Sequence, residues 1–475
     1  MSDIKKDTLK GVKWTAFERI SMQGIQFLIG VVLARLLDPS DFGIIGMMTI
    51  FITLSNTFVD GGFSNALIRK IDCDEKDYST AFYFNIVIGI VCYVVLYLCS
   101  PIIASFFNTP ILSHLLKVLA LTLFINSLSV VHIAKLSREI NFKVQAQATF
   151  IGVLLSGLFG ITLAYMGYGV WSLVFQQLAN SVIKVLVIWI KAHWRPMIFF
   201  SKESFKTLFG YGSKILISNL IGTLYNQLST ILIGKYYTTS DLGYYSRGQQ
   251  FAHLPTVAIT DVLGKVTFPI LSRYQNDDQK LVPVYRKYIS VTSLVIFFCM
   301  TLLASLAKPF VLVLLSEKWM SSVIFLQIFC FTYMFEHISK LNLNLLQVKG
   351  RSDLYLRLEI IKKIIGFSLM VCAIPFGVIT ICLSALIYSQ VSLAINTYYT
   401  GKLFGLGYFK QMNDFIKYFL LSIVACAPGF LLTFLNFDII FQILSGIILA
   451  VAIYYIALRK DNNFIELMGI IKNKF

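Results

Sequence analysis

The sequence predicts an all-α polytopic membrane protein with about fourteen transmembrane helices. Three observations predict it. Of 475 residues 57% are hydrophobic and 14% charged, with a mean hydropathy of +0.74. A soluble chain of this length cannot bury that much apolar surface. Apolar runs recur from Val12 to Leu458, each near the ~20 residues that a spanning helix needs. Basic residues gather in alternate connections, among them Arg69, Lys70, Lys76, Lys135, Arg138, Lys143, Lys191, Arg195, Lys202 and Lys206.

The net charge of +17 does not point to nucleic acid, and no such partner is expected. With the N-terminus placed in the cytoplasm, most of the 41 Lys and Arg fall on the cytoplasmic side. Arg35, Lys235, Lys308 and Lys318 are among the few outside. This positive-inside asymmetry fixes the expected orientation, with both termini cytoplasmic. Membrane lipid is an expected partner. The 8 cysteines are scattered without a Cys-x-x-Cys, and seven of them sit in apolar segments. No disulfide framework, metal or cofactor is expected. The first apolar segment carries Glu18 and Arg19 and lacks a small-residue cleavage site, so it is read as a retained helix.

Segments 1 to 6 are expected at about 12–34, 41–61, 80–105, 112–134, 145–166 and 169–192. Segment 5 carries Gly152, Ser156, Gly160 and Ala164 at intervals of four, a stripe that permits close helix packing. Segments 7 to 12 follow at about 208–233, 241–263, 288–312, 320–339, 357–376 and 378–400. The second set echoes the first. Arg35 with Ser40-Asp41-Phe42-Gly43 is matched by Lys235 with Ser240-Asp241-Leu242-Gly243. His132-Ile133-Ala134-Lys135-Leu136 is matched by His337-Ile338-Ser339-Lys340-Leu341. These echoes mark two six-helix repeats, parallel because each has an even number of spans. The expected lobes are 1–195 and 196–405. Residues 406–475 hold two extra helices, at about 413–435 and 438–458, and a cytoplasmic tail. These helices lack a counterpart and read as an appendage. Ser40, Asp41 and Gly43, like Ser240, Asp241 and Gly243, read as turn and cap chemistry.

Polar residues inside spans are costly and mark candidate sites. Segment 1 lines up Thr15, Arg19, Gln23, Gln26 and Gly30, with Glu18 beside them. Segment 7 carries Ser218, Asn219, Gly222, Asn226 and Ser229, with Lys214 one turn nearer the cytoplasm. Segment 8 adds Arg247, Gln250 and Asp261 on one face, with His253 to the side and a kink expected at Pro255. Arg19 and Lys214 each fall about 9 Å from the expected inner end of their helix. Fixed cations recognise phosphate best, so Arg19, Lys214 and Arg247, with Gln23, Gln26, Asn219, Asn226 and Gln250, are the candidate substrate ligands. Glu18, Asp60, Asp261, His253 and Pro255 are candidates for gating, or for coupling to a proton or sodium ion. Glu359 with Lys362 and Lys363 reads as a self-satisfying cluster.

Several stretches resemble the flippases for lipid-linked polysaccharide units in the multidrug/oligosaccharidyl-lipid/polysaccharide exporter superfamily. They include Asp41-Phe42-Gly43, Asp60-x-Gly62, Ala66-Leu67-Ile68-Arg69-Lys70, Ser79-Thr80-Ala81-Phe82 and Arg138-Glu139-Ile140-Asn141-Phe142. Gly169-Val170-Trp171-Ser172, Trp194-Arg195-Pro196, Leu254-Pro255, Phe268-Pro269 and Glu317-Lys318-Trp319 continue the series. The resemblance is strongest to the colanic-acid and teichuronic-acid type. It implies a V-shaped, two-lobed twelve-helix core working by alternating access, with a polyprenyl-diphosphate-linked oligosaccharide (undecaprenyl-diphosphate-linked) as cargo. A multidrug or organic-ion antiporter would be expected to show lumen carboxylates instead. A polysaccharide polymerase or glycosyltransferase would need a sizeable loop bearing catalytic groups, and no nucleotide, metalloprotease or nucleophile-elbow motif occurs. The chain is therefore read as a transporter rather than an enzyme.

Overall fold

The computed structural model describes residues 22–472, and the described residues form helices joined by short turns. By contacts the chain divides into two compact units, Met1–Gly243 and Tyr244–Phe475. The division falls after segment 7, whereas the repeat places a lobe boundary before it.

In the first unit, α1 is described over 22–36. It is followed by α2 (Pro39–Asp60), α3 (Phe63–Arg69) and α4 (Glu75–Phe106). Segment 4 is broken into α5 (Ile111–Leu119), α6 (Leu121–Ser127) and α7 (Val130–Arg138). Then come α8 (Phe142–Tyr165), α9 (Val170–Lys191) and α10 (Lys202–Tyr236). The stripe Gly152, Ser156, Gly160 and Ala164 is buried on α8. The helix facing it is α9: a Cβ on Gly160 would lie 2.8 Å from the Gln176 Cβ, and one on Gly152 2.8 Å from the Asn180 Oδ1.

In the second unit α11 (Thr239–Arg273) continues from the first. It is helical straight through Pro255. Next come α12 (Asp278–Ser305), α13 (Ala307–Leu314), α14 (Ser322–Tyr333) and α15 (Glu336–Val348). The series ends with α16 (Ser352–Ala373), α17 (Val378–Phe404), α18 (Tyr408–Leu432), α19 (Ile439–Leu458) and α20 (Asn462–Lys472).

Among the described residues, 11 helical stretches are long and apolar enough to cross a membrane. They match expected segments 2 to 7, 9, 10 and 12 to 14. Segment 1 is described only from Met22. The helices of segments 8 and 11 form where expected but are too polar for the criterion, with Arg247, Gln249, Gln250 and His253 in α11 and Arg357, Glu359, Lys362 and Lys363 in α16. The Glu359 partner is Lys362, one turn away.

The last two spans are no appendage. Gln411 of α18 is fully buried and hydrogen-bonds to Asn342 of α15 at 2.9 and 3.0 Å. Its amide also reaches Thr400 of α17 at 3.1 Å and the Leu406 carbonyl at 2.8 Å, and it accepts from Tyr285 of α12 at 3.3 Å. One glutamine thus ties four helices, and such a network is stable in a dry interior only when its members are answered. At its rim Arg286 makes a two-pronged pair with Asp414, at 2.6 to 3.1 Å. The Tyr454 hydroxyl of α19 donates to the Leu294 carbonyl at 2.8 Å.

Candidate functional site

The duplicated Ser-Asp-x-Gly stretch opens α2 and α11. Its Asp is a cap residue, as expected. Asp41 Oδ2 accepts from the Asp38 N–H at 3.1 Å. Asp241 Oδ2 accepts from the Thr238 N–H at 3.2 Å, while Thr238 Oγ1 accepts from the Asp241 N–H at 3.1 Å. These are reciprocal capping boxes. The glycines are not turn residues but points of helix contact. A Cβ on Gly43 would lie 1.8 Å from the Thr239 carbonyl oxygen, and one on Gly243 1.9 Å from that of Pro39. Both sit inside the first unit, and no other residue type fits. At the opposite end of α10 the same device recurs: a Cβ on Gly62 would lie 2.3 Å from the Gly212 carbonyl oxygen.

With α10 held against α2 in this way, its outward faces are left uncovered. Lys214, Asn219 and Asn226 are all exposed. Asn219 and Asn226 stand two turns apart on one face. Lys214 is about 140° round the helix from Asn219, and about 18 Å from the start of α10, at 100° and 1.5 Å per residue. That is farther from the helix end than the sequence suggested, because the helix begins at Lys202. On α1, Gln23 is half-buried and Gln26 exposed. Arg19 and Glu18 lie outside the described residues.

Arg247 on α11 is placed differently. It is only 6% exposed. Its Nη1 donates to Gln250 Oε1 at 2.7 Å, and its guanidinium stands 5.8 Å from the Trp319 ring centroid. Gln250 and His253 are exposed, and the His253 ring lies 5.0 Å from that of Tyr333. The Asp261 side chain is outside the described residues. Asp60, expected near a gate, is half-buried at the end of α2 and accepts from the Ser64 hydroxyl.

Sequence reasoning missed one polar row. Gln176, Asn180 and Lys184 of α9 follow one another at intervals of four, which puts them on one face. Asn180 Oδ1 is buried without a hydrogen-bond partner, and the Lys184 Cβ is 3.5 Å from where a Cβ would sit on Gly152. The spacing was visible in the sequence.

Many of the residues that carried the family resemblance converge at the basic end of the first unit. Lys70 pairs with Asp77 at 2.5 Å, and Lys135 with Glu75 at 2.9 Å. Burial works against the Lys70 ammonium, but the hydrogen bond and charge of Asp77 outweigh it and hold its pKa above the ordinary lysine value. Arg138 donates to the Leu67 and Ile71 carbonyls. Trp194 Nε1 donates to Glu75 at 2.5 Å, and Ser79 and Thr80 accept from the N–H groups of Met197 and Ser201 at 2.9 and 3.0 Å. Phe63, Leu67, Phe82 and Trp194 share one buried cluster beneath them. These residues hold the connection into α10 in place. Among the described residues, no three His, Cys, Asp or Glu side chains converge in a way that would hold a metal.

A family model described as "Polysaccharide biosynthesis protein" matches residues 32–324, more than half of the chain. The chain belongs to the polysaccharide biosynthesis protein family. Within it, the chain is 24% identical over 425 residues to the teichuronic acid biosynthesis protein TuaB of Bacillus subtilis, covering 89% of this chain and 88% of that one. It is 25% identical over 365 residues to the lipopolysaccharide biosynthesis protein WzxC of Escherichia coli, covering 76% and 73%. It is 23% identical over 314 residues to the succinoglycan biosynthesis transport protein ExoT of Rhizobium meliloti, covering 66% and 64%. In fold this family member is similar to the lipid II flippase MurJ in an inward closed conformation, with TM-score 0.76, 15% identity and coverage of 94% and 98%. An inward-facing multidrug resistance transporter of the MATE family matches with TM-score 0.60, 17% identity and coverage of 82% and 97%. The chain is thus a multi-pass membrane protein with a helical fold like that of these two transporters.

Proposed function

We propose that the protein is a flippase that moves a polyprenyl-diphosphate-linked oligosaccharide across the bacterial cytoplasmic membrane by alternating access, for surface polysaccharide export. The observation that carries this reading is an exposed lysine, Lys214, in a membrane-spanning helix of a family whose members are named for polysaccharide biosynthesis and transport. A cation at that depth is expensive unless it meets an anion or water. A diphosphate linked to a lipid meets that demand while its hydrocarbon stays in the bilayer.

In this reading Lys214 and Arg19 neutralise the diphosphate, and Gln23, Gln26, Asn219 and Asn226 hydrogen-bond to the sugars. The repeat lobes 1–195 and 196–405 alternate access, and both termini lie in the cytoplasm, as the distribution of Lys and Arg suggests. The work is transport, with no bond made or broken in the cargo. The test is deletion in the native host with mass analysis of lipid-linked intermediates. An undecaprenyl-diphosphate oligosaccharide should accumulate, and the intact chain, but not Lys214→Ala, should clear it. Accumulation of free sugar nucleotides alone would defeat the reading.

A further inference from the structure

Inside the second unit, α12, α14, α17 and α18 enclose a cavity of about 430 Å³. Its apolar walls come from Ala304, Ile328, Phe331, Leu386, Ile423 and Phe430. It lies toward the α12–α13 turn, since Thr301 to Ser305 are the last residues of α12 and Ile423 to Phe430 belong to the second half of α18. None of the candidate cargo ligands lines it. Three polar side chains do, and each donates a hydrogen bond to the protein. Gln327 Nε2 donates to the Ala304 carbonyl at 3.2 Å, and the Ser305 hydroxyl to that of Leu302 at 2.9 Å. Thr301 Oγ1 and Ser422 Oγ are 3.0 Å apart, and because Ser422 already donates to the Phe419 carbonyl at 2.7 Å, Thr301 is the donor between them. The walls therefore ask for a hydrocarbon and not for a polar headgroup.

The mouth is set by what remains exposed. Ile423 and Phe430 of α18 are 37% and 40% exposed, and Leu383 and Ile387 of α17, flanking Leu386, are 40% and 53% exposed. The cavity opens between two membrane-spanning helices onto an apolar surface, which in a bilayer is lipid. A space of this size with apolar walls leaves them short of dispersion partners unless a chain enters, and apolar cavities in proteins take up hydrocarbon rather than water.

We propose that this cavity is a binding site for one acyl chain of a bilayer phospholipid, inserted laterally between α17 and α18. The headgroup stays outside in the membrane interface, and the chain completes the packing of α18 against α12, α14 and α17. This site is separate from the diphosphate cations, and its occupancy does not depend on the flippase reading.

The test uses the full chain reconstituted in phosphatidylglycerol–phosphatidylethanolamine vesicles, doped with a phospholipid bearing a diazirine midway along one acyl chain. After illumination, peptide mapping locates the adducts. We expect them enriched at least fivefold on residues 301–305, 327–331 and 423–430 over Ile448 and Val451 of α19, which are exposed and do not line this cavity. Ala427→Phe, which fills the cavity, should bring the enriched sites down to the α19 level while α19 labelling stays the same. Ala304→Leu is the second filling variant, should Ala427→Phe fail to fold. Adducts no denser in the cavity than on α19, or unchanged by either filling, overturn the proposal. Displacement of the adducts by stoichiometric undecaprenyl phosphate, with equal phosphatidylglycerol having no effect, also overturns it, by assigning the cavity to a polyprenyl chain.

Discussion

In the first unit α10 presents Lys214, Asn219 and Asn226 uncovered, and α1 presents Gln26. In the second unit Arg247, Asn342, Thr400 and Gln411 are buried, and each is answered by a neighbour. The residue types are alike in the two sets. What differs is whether the protein supplies the partner. An internally answered polar group contributes to fold specificity, while an uncovered one in a membrane span is left to meet cargo or water.

The contrast can be broken by substitution. Lys214→Ala should cut export by at least a hundredfold with protein level and thermal midpoint unchanged, read as surface polysaccharide per cell and by melting in detergent. Wild-type export would remove Lys214 from the exposed, working class. Gln411→Leu should do the reverse. It takes one partner each from Asn342, Thr400 and the Leu406 carbonyl and removes the Gln411 acceptor of the buried Tyr285 hydroxyl, which costs about 2–4 kcal/mol of stability. A large fall in unfolding midpoint is expected, with the specific transport rate of the surviving protein kept. Arg247→Met sharpens the boundary between the two classes, because it keeps the volume over Trp319 and removes the charge. A lower midpoint by about 1–2 kcal/mol with export retained would place Arg247 with the packing residues; lost export at an unchanged midpoint would return it to the cargo ligands.

The smallest effect concerns Asp461, between α19 and α20. Burial pushes its carboxyl up, but the Lys417 ammonium at 2.6 Å, the Phe464 N–H and the Tyr418 hydroxyl outweigh that and hold the pKa below the ordinary value. A depressed carboxylate contributes stability above its unfolded pKa of about 3.9, and that contribution is lost as pH falls through the folded value. Asp461→Asn should therefore cost under about 1 kcal/mol at neutral pH, after screening by solvent, and nothing once the pH is below that window. Limited proteolysis of α20 across pH checks it.

Element positions were largely legible, because hydropathy acts over whole spans. The breaks were not. Segment 4 ends α6 at Ser127 and restarts at Val130, and segment 10 ends α14 at Tyr333 and restarts at Glu336. Neither stretch holds Gly or Pro, so local chemistry gives no signal. The reason is tertiary: Trp189 Nε1 caps the freed Leu128 carbonyl at 2.9 Å, and His132, just past the break, lies against Trp189 and Trp194 at 4.8 and 4.9 Å. His337, just past the second break, shares a 2.9 Å hydrogen bond with Ser293. The repeated His-Ile-x-Lys-Leu was legible as an echo, but its position after a break was not. Polar periodicity marks α10 and α11 alike, but it does not show that Arg247 is buried near Trp319 while Lys214 is exposed, because that depends on which neighbour covers each residue. The Gln176-Asn180-Lys184 row is legible from its spacing, but it faces the small residues of α8, and a small-residue stripe signals close packing without signalling a polar partner.

The reciprocal glycines have a consequence for ancestry and assembly. Gly43 receives the carbonyl of Thr239, and Gly243 that of Pro39, two hundred residues out of register and otherwise interchangeable. This is the pattern of an isologous interface, in which residue i of one copy meets j of the other and j meets i. The chain is joined to itself here as two subunits of a twofold dimer would be. A half-length ancestor could have formed this joint by pairing with a second copy of itself, and fusion would then have fixed the partner.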